Sequence, residues 1–577
     1  MRSILLCSFL FYTINCIFGQ ADRLKYEIKS LLFSYGGNSE DLPSLEPLIN
    51  IELSVGGQKF SPKELKDTDQ TIYLDLRGLQ QVAQLPLQYL KSLGYEGLIA
   101  FPDPNQIDPI SGKDLRTSVD RNLRIVIWVS RIKQVEFTNV GMKDGIFSRL
   151  RSLGEENFTL QSEKDDRLRI DHLRFWKRIG NRSSRTAITN LLPTEQPGVI
   201  KANVSLGLRK KQGGRLFATN SGTDSTGKWI LGGAFFYNQV TELDDDLEVS
   251  YISSDTQERQ AFNLKHSFPI IYPNVLNFET TAGYSFYDAS SFAITRVDFE
   301  GNAKTIDLNL RYSPIEWEYQ NYQVSLEIGV KGEDMEAKNS LILADAEAQL
   351  LTPRIAVNLT TQSQYVRSFS KLEVSKNYKD ITAQDRFLFG GYKTDEKAAR
   401  LNFDSMLSIK AGKWMVDNMD TELDDSWNGH LALLRLSASL GLENTRYMPQ
   451  HQFISGGSSS VRGYPESIIS GDHGYFLSLD YQIPVYRSNK QTALGSYTSS
   501  LIPFIDWGES FVNDPLSYES DHSILGAGLG VEVKFSKGLK ARLDFSKPIK
   551  EVKSSGTIVE GTNSSDNRVH AMLIWDF

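Results

Sequence analysis

From residue 208 to residue 577 the chain repeats one pattern, with an apolar residue at every second position. Tyr322, Val324, Leu326, Ile328 and Val330 alternate with Gln323, Ser325, Glu327 and Gly329. Leu525, Ala527, Leu529, Val531, Val533 and Phe535 alternate with Gly526, Gly528, Gly530, Glu532 and Lys534. Leu539, Ala541, Leu543 and Phe545 alternate with Lys540, Arg542, Asp544 and Ser546. Side chains of a β-strand point to opposite faces in turn, so each run has one apolar face and one face of charges and glycines. On strands about ten residues long, this is the pattern of a transmembrane barrel wall. Soluble sandwiches also alternate, but this length would need several of them, and no Pro/Ser-rich linker marks a boundary. At roughly 23 residues per strand and connection, the region suggests about 16 strands, an even number as closure requires. The expected fold is mainly β: a transmembrane antiparallel β-barrel over 208–577, preceded by α+β domains.

The rest of the composition narrows the class. No later segment is a run of about 20 apolar residues, which excludes a polytopic helical membrane protein. An aromatic content of 11% argues against disorder. A formal charge of −8 gives no reason to expect nucleic-acid binding. Residues 1–21 read as a signal peptide: Arg2, an apolar stretch over 4–18, and Gly19-Gln20-Ala21 as a small-x-small cleavage site. The only two cysteines, Cys7 and Cys16, lie inside it, so the mature chain has no disulfide, thiol nucleophile or Cys-ligated zinc.

Between signal and barrel, helical and strand patterns mix. In 22–45, Leu24, Ile28, Leu31 and Leu32 fall at i, i+4, i+7 and i+8, which predicts an amphipathic helix over 22–34. Gly36, Gly37 and Asn38 end it and start a linker. Two units of β-α-α-β-β order follow, over 46–133 and 134–207. The first has a strand at 49–55, a short polar helix near Ser61, a helix ending at Leu93-Gly94, and strands near 98–101 and 123–132. The second has a strand at 135–137, helices near 146–153 and 167–179, and strands at 185–191 and 199–206.

The last residues keep strand phase. Val569, Ala571, Leu573, Trp575 and Phe577 alternate with Arg568, His570, Met572 and Asp576. Such a strand is expected to pair with the first and so remove the barrel's edge. Trp575 and Phe577 are candidates for the signal that assembly machinery reads.

Two motifs stand in this frame: Gly456-Gly457-Ser458-Ser459-Ser460-Val461-Arg462-Gly463-Tyr464 and Phe504-Ile505-Asp506-Trp507-Gly508. With the paired α+β units and an aromatic last residue, they resemble the POTRA-plus-barrel transporters of outer membranes. The two-partner secretion transporters of the ShlB/FhaC/HecB type, related to BamA and TamA, are the most similar. Pro193-Thr194-Glu195-Gln196-Pro197-Gly198 closing the second unit fits that family, as do Asn220-Ser221-Gly222 and Thr226-Gly227 opening the barrel. The resemblance implies POTRA domains at 46–133 and 134–207, and a helix in 22–45 that plugs the barrel.

Counting strands back from a periplasmic end puts 443–474 on the outer side, and this loop holds Val461, Arg462, Gly463 and Tyr464. In strand 501–508, Phe504, Asp506 and Gly508 share one face, and an aspartate is costly against lipid, so that face is lumenal. Asp480 faces the lumen by the same argument. The resemblance implies that the loop folds back and that Arg462 pairs with Asp506. A guanidinium forks onto a carboxylate with fixed geometry, which suits pinning a loop in a wide barrel. The family carries Glu where this chain has Asp480, a second acidic partner. Gly456, Gly457 and Gly463 permit the tight path.

Catalytic chemistry has little support. The seven histidines form no short metal-ligating spacing, and no Gly-x-Ser-x-Gly elbow occurs. Asp244-Asp245-Asp246 reads as a turn rather than a calcium site. The expectation is a non-enzymatic monomer without cofactor or metal, in the outer membrane with its POTRA domains in the periplasm. Its partners are an unfolded secreted client, the lipid bilayer and the barrel-assembly machinery. The alternatives are a BamA/TamA-like insertase, or a passive porin or surface-antigen barrel.

Overall fold

The computed structural model describes residues 25–577, except 38, 56–57, 69, 118–119, 181, 183, 197, 224, 293–296, 315–316, 320, 340–343, 391, 419–424, 518 and 555. The signal peptide read over 1–21, with both cysteines, lies outside the described residues. The chain divides into two compact units, Met1–Arg209 and Lys210–Phe577.

The first unit holds two three-stranded sheets of one design. Small strands β1 (Tyr26–Ile28) and β5 (Ile72–Leu74) pair with each other, as do β3 (Leu53–Val55) and β4 (Gln58–Phe60). In the first sheet, β2 (Ser30–Tyr35) runs parallel to β7 (Asn122–Val129), which is antiparallel to β6 (Leu98–Pro102). In the second, β8 (Arg131–Val140) runs parallel to β10 (Val199–Leu208), which is antiparallel to β9 (Arg185–Pro193). The last strand of each set is thus central. Helices α1 (Pro62–Thr68) and α2 (Leu76–Ser92) go with the first sheet, α3 (Asp144–Ser162) and α4 (Ile170–Ile179) with the second. The starts of α1 and α2 are written locally. Ser61 and Glu64 exchange bonds of 2.9 and 3.1 Å as a capping box, and Asp75 accepts from the Gly78 N–H at 2.7 Å.

The helix expected over 22–34 is corrected: its described residues form β1 and β2. Tyr26 and Ile28 are buried in one strand and Leu31 in the next. The burial phase slips by one residue at Lys29. Two period-2 strands half a repeat apart therefore imitate the i, i+3, i+4 spacing of a helix. Leu32, which a helical face would bury, is 43% exposed. The segment is spent on sheets of the first unit, so it is not a plug helix. It also supplies the first strand of the first sheet, a role expected of 49–55. There the chain forms a 3-10 turn (Glu46–Asn50) and then β3. The single strand read over 123–132 breaks at Ser130, where β7 ends and β8 begins shortly after.

The second unit is a closed barrel of sixteen long strands, β11 (Gln212–Thr219) to β26 (Arg568–Asp576), each antiparallel to its neighbours. β11 pairs with β26 to close it. Outward positions carry the apolar residues: Leu479, Ile505, Trp507, Leu529, Leu543, Leu573 and Trp575 are all exposed. Some strands are longer than the expected ten residues. β17 (Tyr322–Asn339) has 18 and β18 (Ala344–Gln362) has 19. Only part of each is apolar outside. Past Val330 the outward positions become Gly332, Asp334, Glu336 and Lys338, so the backbone ladder continues past the apolar band. No described helix is long and apolar enough to cross a membrane.

Candidate functional site

With an even strand number, both ends of the barrel chain leave at one rim, and the connection between β21 (Leu431–Gly441) and β22 (His473–Thr492) lies at the other. This connection does not stay outside. Short strands Phe453–Ser455 and Ile469–Gly471 pair as a hairpin whose tip carries the glycine-rich motif into the lumen. Gly456, Gly457 and Gly463 all adopt positive φ, at 114°, 93° and 99°. Within the tip, the Gly456 N–H donates to Ser460 Oγ at 2.8 Å and the Ser458 N–H to Glu466 at 2.8 Å. Burial raises the Glu466 carboxyl above the usual range, with the Ser458 bonds opposing.

Arg462 is 2% exposed and is gripped from three strands. Its Nε and Nη2 fork onto Asp506 of β23 (Gly495–Phe511) at 2.7 and 2.8 Å, and its backbone N–H reaches the same carboxylate at 3.0 Å. Nη2 also donates a short bond to Asp480 and a 3.3 Å bond to Ser478, both on β22. Nη1 lies 3.3 Å from Asp544 of β25 (Leu539–Pro548). The guanidinium carbon stacks 3.5 Å above the centre of the Phe504 ring. Asp480 and Asp544 are shared with Arg542, at 3.0 and 2.8 Å. Arg435 of β21 donates to Ser478 at 2.9 Å. Three carboxylates thus face three guanidiniums, which keeps the buried charges near balance.

The rest of the motif seats the tip. Val461 and Tyr464 are fully buried with Ile469, Ile524 and Val552. The Tyr464 hydroxyl lies 2.9 Å from the Leu525 carbonyl and accepts the Leu525 N–H at 3.1 Å, tying the tip to β24 (His522–Phe535). The wall makes room at Gly526, where a Cβ would sit 1.9 Å from the Arg462 carbonyl oxygen. Gly508 lies under Val461 in the same way.

The motif residues Val461, Arg462, Gly463 and Tyr464 on the tip and Phe504, Asp506 and Gly508 on the wall are therefore brought together, with Asp480 beside them on the wall. Asp544, Arg542 and Arg435 were not singled out. The first two did carry a signal, since they sit two apart on the polar face of a strand already read as alternating. Trp575 and Phe577 lie elsewhere, with their rings 5.4 Å apart and both side chains exposed on the barrel's outer surface. Asp244 and Asp245 follow the turn at 242–243 in the connection between two barrel strands, and Asp246 opens the second of them; Asp245 accepts from the Thr241 N–H at 2.7 Å and lies 2.9 Å from His266.

A sixteen-strand barrel with an inward hairpin locked to its wall defines a class of outer-membrane protein. The family described as "Haemolysin secretion/activation protein ShlB/FhaC/HecB" matches residues 203–394 and 398–533, more than half of the chain. The chain belongs to this family, an outer-membrane transporter of two-partner secretion rather than an enzyme. Among solved structures, CdiB from Escherichia coli is similar over 99% of this chain and 98% of its own, with 15% identity and a TM-score of 0.60. CdiB from Acinetobacter baumannii is similar over 96% and 90%, with 12% identity and a TM-score of 0.54. BamA from Haemophilus ducreyi lacking POTRA domains 1–3 covers 96% and 100% at 13% identity and a TM-score of 0.49. No curated protein sequence matches.

Proposed function

We propose that the two α+β units are POTRA domains in the periplasm, that they capture an unfolded client, and that the client leaves through the barrel lumen. The observation that carries this reading is the hairpin lock. A loop held inside the lumen by buried charges is a device for a passage whose bore must be controlled. Capture is supported by β9, a nine-residue strand at the edge of its sheet with Ile188 and Leu192 exposed. An extended client can add to such an edge by main-chain bonds, with little demand on sequence. Trp575 and Phe577 serve the barrel-assembly machinery during insertion.

The test places a photoreactive residue at Asn190 on β9 and at Thr305 on the inward face of β16 (Val297–Tyr312), with a client stalled by a tightly folded fusion. Client adducts at both positions support the reading. Adducts at neither overturn it, and adducts of other barrel proteins on β11 and β26 alone favour the insertase.

A further inference from the structure

The seam between β11 and β26 is the shortest pairing among the sixteen barrel strands. It holds five residues in register, Arg215–Thr219 against Met572–Asp576, while β11 with β12 (Ile230–Asn238) and β25 with β26 each hold eight. Its two ends are finished differently. At one, the Gly214 and Phe577 backbones exchange bonds of 3.1 and 2.9 Å, and Arg215 pairs with Asp576. At the other, β11 has ended, and β26 continues beside β25 with its other edge facing Asn220.

Asn220 covers that edge. Its backbone N–H donates to the Ala571 carbonyl at 3.2 Å. Its side-chain Oδ1 accepts the Ala571 N–H at 2.7 Å, and its Nδ2 donates to the Val569 carbonyl at 2.8 Å. A strand rung needs a donor and an acceptor at fixed spacing in one plane. The carboxamide is planar and carries both, so it replaces the peptide group that β11 lacks here. Aspartate can accept but not donate, alanine does neither, and glutamine is one methylene too long for the same seat.

We infer that Asn220 is the clasp that shuts the outer end of the seam, and that the seam stays shut while a client passes. The second half rests on the lumenal route proposed above. Asn220 is a positioning residue: it touches no client and acts by holding β26 against β11.

Two measurements test it on the full-length protein. The first is hydrogen exchange of peptide 568–577. Asn220→Ala should speed exchange at Ala571 by about tenfold, the loss expected for one net hydrogen bond. Asn220→Asp should keep Ala571 protected yet lower the temperature at which the barrel unfolds on a gel, because Val569 loses its donor. Unchanged protection in Asn220→Ala overturns the clasp, and an Asn220→Asp barrel as heat-stable as wild type overturns the two-bond account. The second measurement oxidises a disulfide between the register partners Phe217→Cys and Ile574→Cys. Secretion should equal that of the reduced protein. A block that reduction relieves overturns the shut seam. Failure of the lumenal route itself shows elsewhere, as an absence of client adducts at Thr305 whatever the state of the seam.

Discussion

Two lumenal arginines show what a buried charge can hold. Arg462 comes from a loop, and its carboxylates lie on β22, β23 and β25. Arg354 belongs to the wall itself, on β18. It reaches across Gly329 of β17 to Asp307 at 2.7 and 2.9 Å and to Asn309 at 2.6 Å, all on β16. The partners are alike, a guanidinium on a carboxylate, though Arg354 reaches both Asp307 oxygens through Nη2 alone and Arg462 forks onto Asp506 with Nε and Nη2. The job differs. The bonds of Arg354 join strands that a backbone ladder already joins, whereas those of Arg462 hold a segment with no ladder to the wall. Charge pairs inside a sheet add to an existing structure; charge pairs across elements decide a conformation.

The largest expected effect follows from removing Arg462. Arg462→Ala strands three carboxylates with two arginines to balance them. Breaking a buried pair on one side costs about 3–5 kcal/mol when water is excluded. The wall needs none of these bonds, so insertion should stay near wild type while secretion falls by at least about tenfold. Arg462→Lys should recover little, because an ammonium cannot fork. An Arg462→Ala protein that secretes normally would remove the functional meaning of the contrast with Arg354.

Asp506→Ala should come next. It removes three of the bonds to Arg462, one of them from the backbone N–H, but leaves Asp480 and Asp544. Combined with Arg462→Ala it should add little, since residues in one network do not act independently. Fully additive losses in the four-way secretion comparison would show two separate effects. Asp480→Ala should cost less, about a few-fold, because Asp506 keeps its fork while Arg542 keeps Asp544.

Acid should separate the two regions more gently. His451 lies at the hairpin's base, where its carbonyl accepts from Arg400 at 2.8 Å. Burial, aided by the positive charges of Arg400 and Lys331, depresses its imidazole to about 3. A depressed histidine is neutral when seated and charges in a released, hydrated loop below its ordinary value near 6.5. The seated state is therefore fully favoured above that value and loses stability as pH falls toward 3. At pH 5 the loss is at most about 2 kcal/mol. In a Ser459→Cys protein, the labelling rate relative to that of a fully exposed cysteine at the same pH, which cancels the fall in thiolate, should be higher at pH 5 than at pH 7.5, and nearly unchanged when His451→Gln is added. An equal relative rate at the two pH values without His451→Gln would refute the linkage.

The sequence made some of this visible and hid the rest for identifiable reasons. Alternation exposed the barrel, and Asp506 and Asp480 fell on the lumenal face by phase alone. The pairing of Arg462 with Asp506 came from resemblance, because no local pattern joins residues on a loop and a strand. Arg542 and Asp544 lay on a visible polar face, yet so did other lumenal charges, Glu327, Lys371, Glu532 and Lys540 among them. Which of them meet depends on cross-strand register, which a single sequence does not print. The segment 26–35 misled for a different reason. Strands of three and six residues are too short to show a period before the phase slips at Lys29, and the summed pattern passes for a helix.

The smallest expected effect is the one that fixes the comparison. Arg354→Ala removes bonds to Asp307 and Asn309 and a looser approach to Glu373 at 3.7 Å. The side chain is only 11% exposed, but its two acids are 25% and 17% exposed and stand on different strands, with Lys371 at 2.8 Å from Glu373 as a remaining counter-charge. Partly hydrated pairs of this kind contribute about 0–1 kcal/mol. The register of β16, β17 and β18 is fixed by long runs of backbone bonds, so the barrel should keep its fold and heat stability. Secretion should stay within about twofold of wild type, a change of under about 0.5 kcal/mol in any step that limits it. Measured beside Arg462→Ala at equal outer-membrane levels, that result would show that a lumenal arginine matters for the segment it restrains and not for its charge. A tenfold loss in Arg354→Ala would instead make the lumenal charge lining itself part of transport, and Arg462 one member of it.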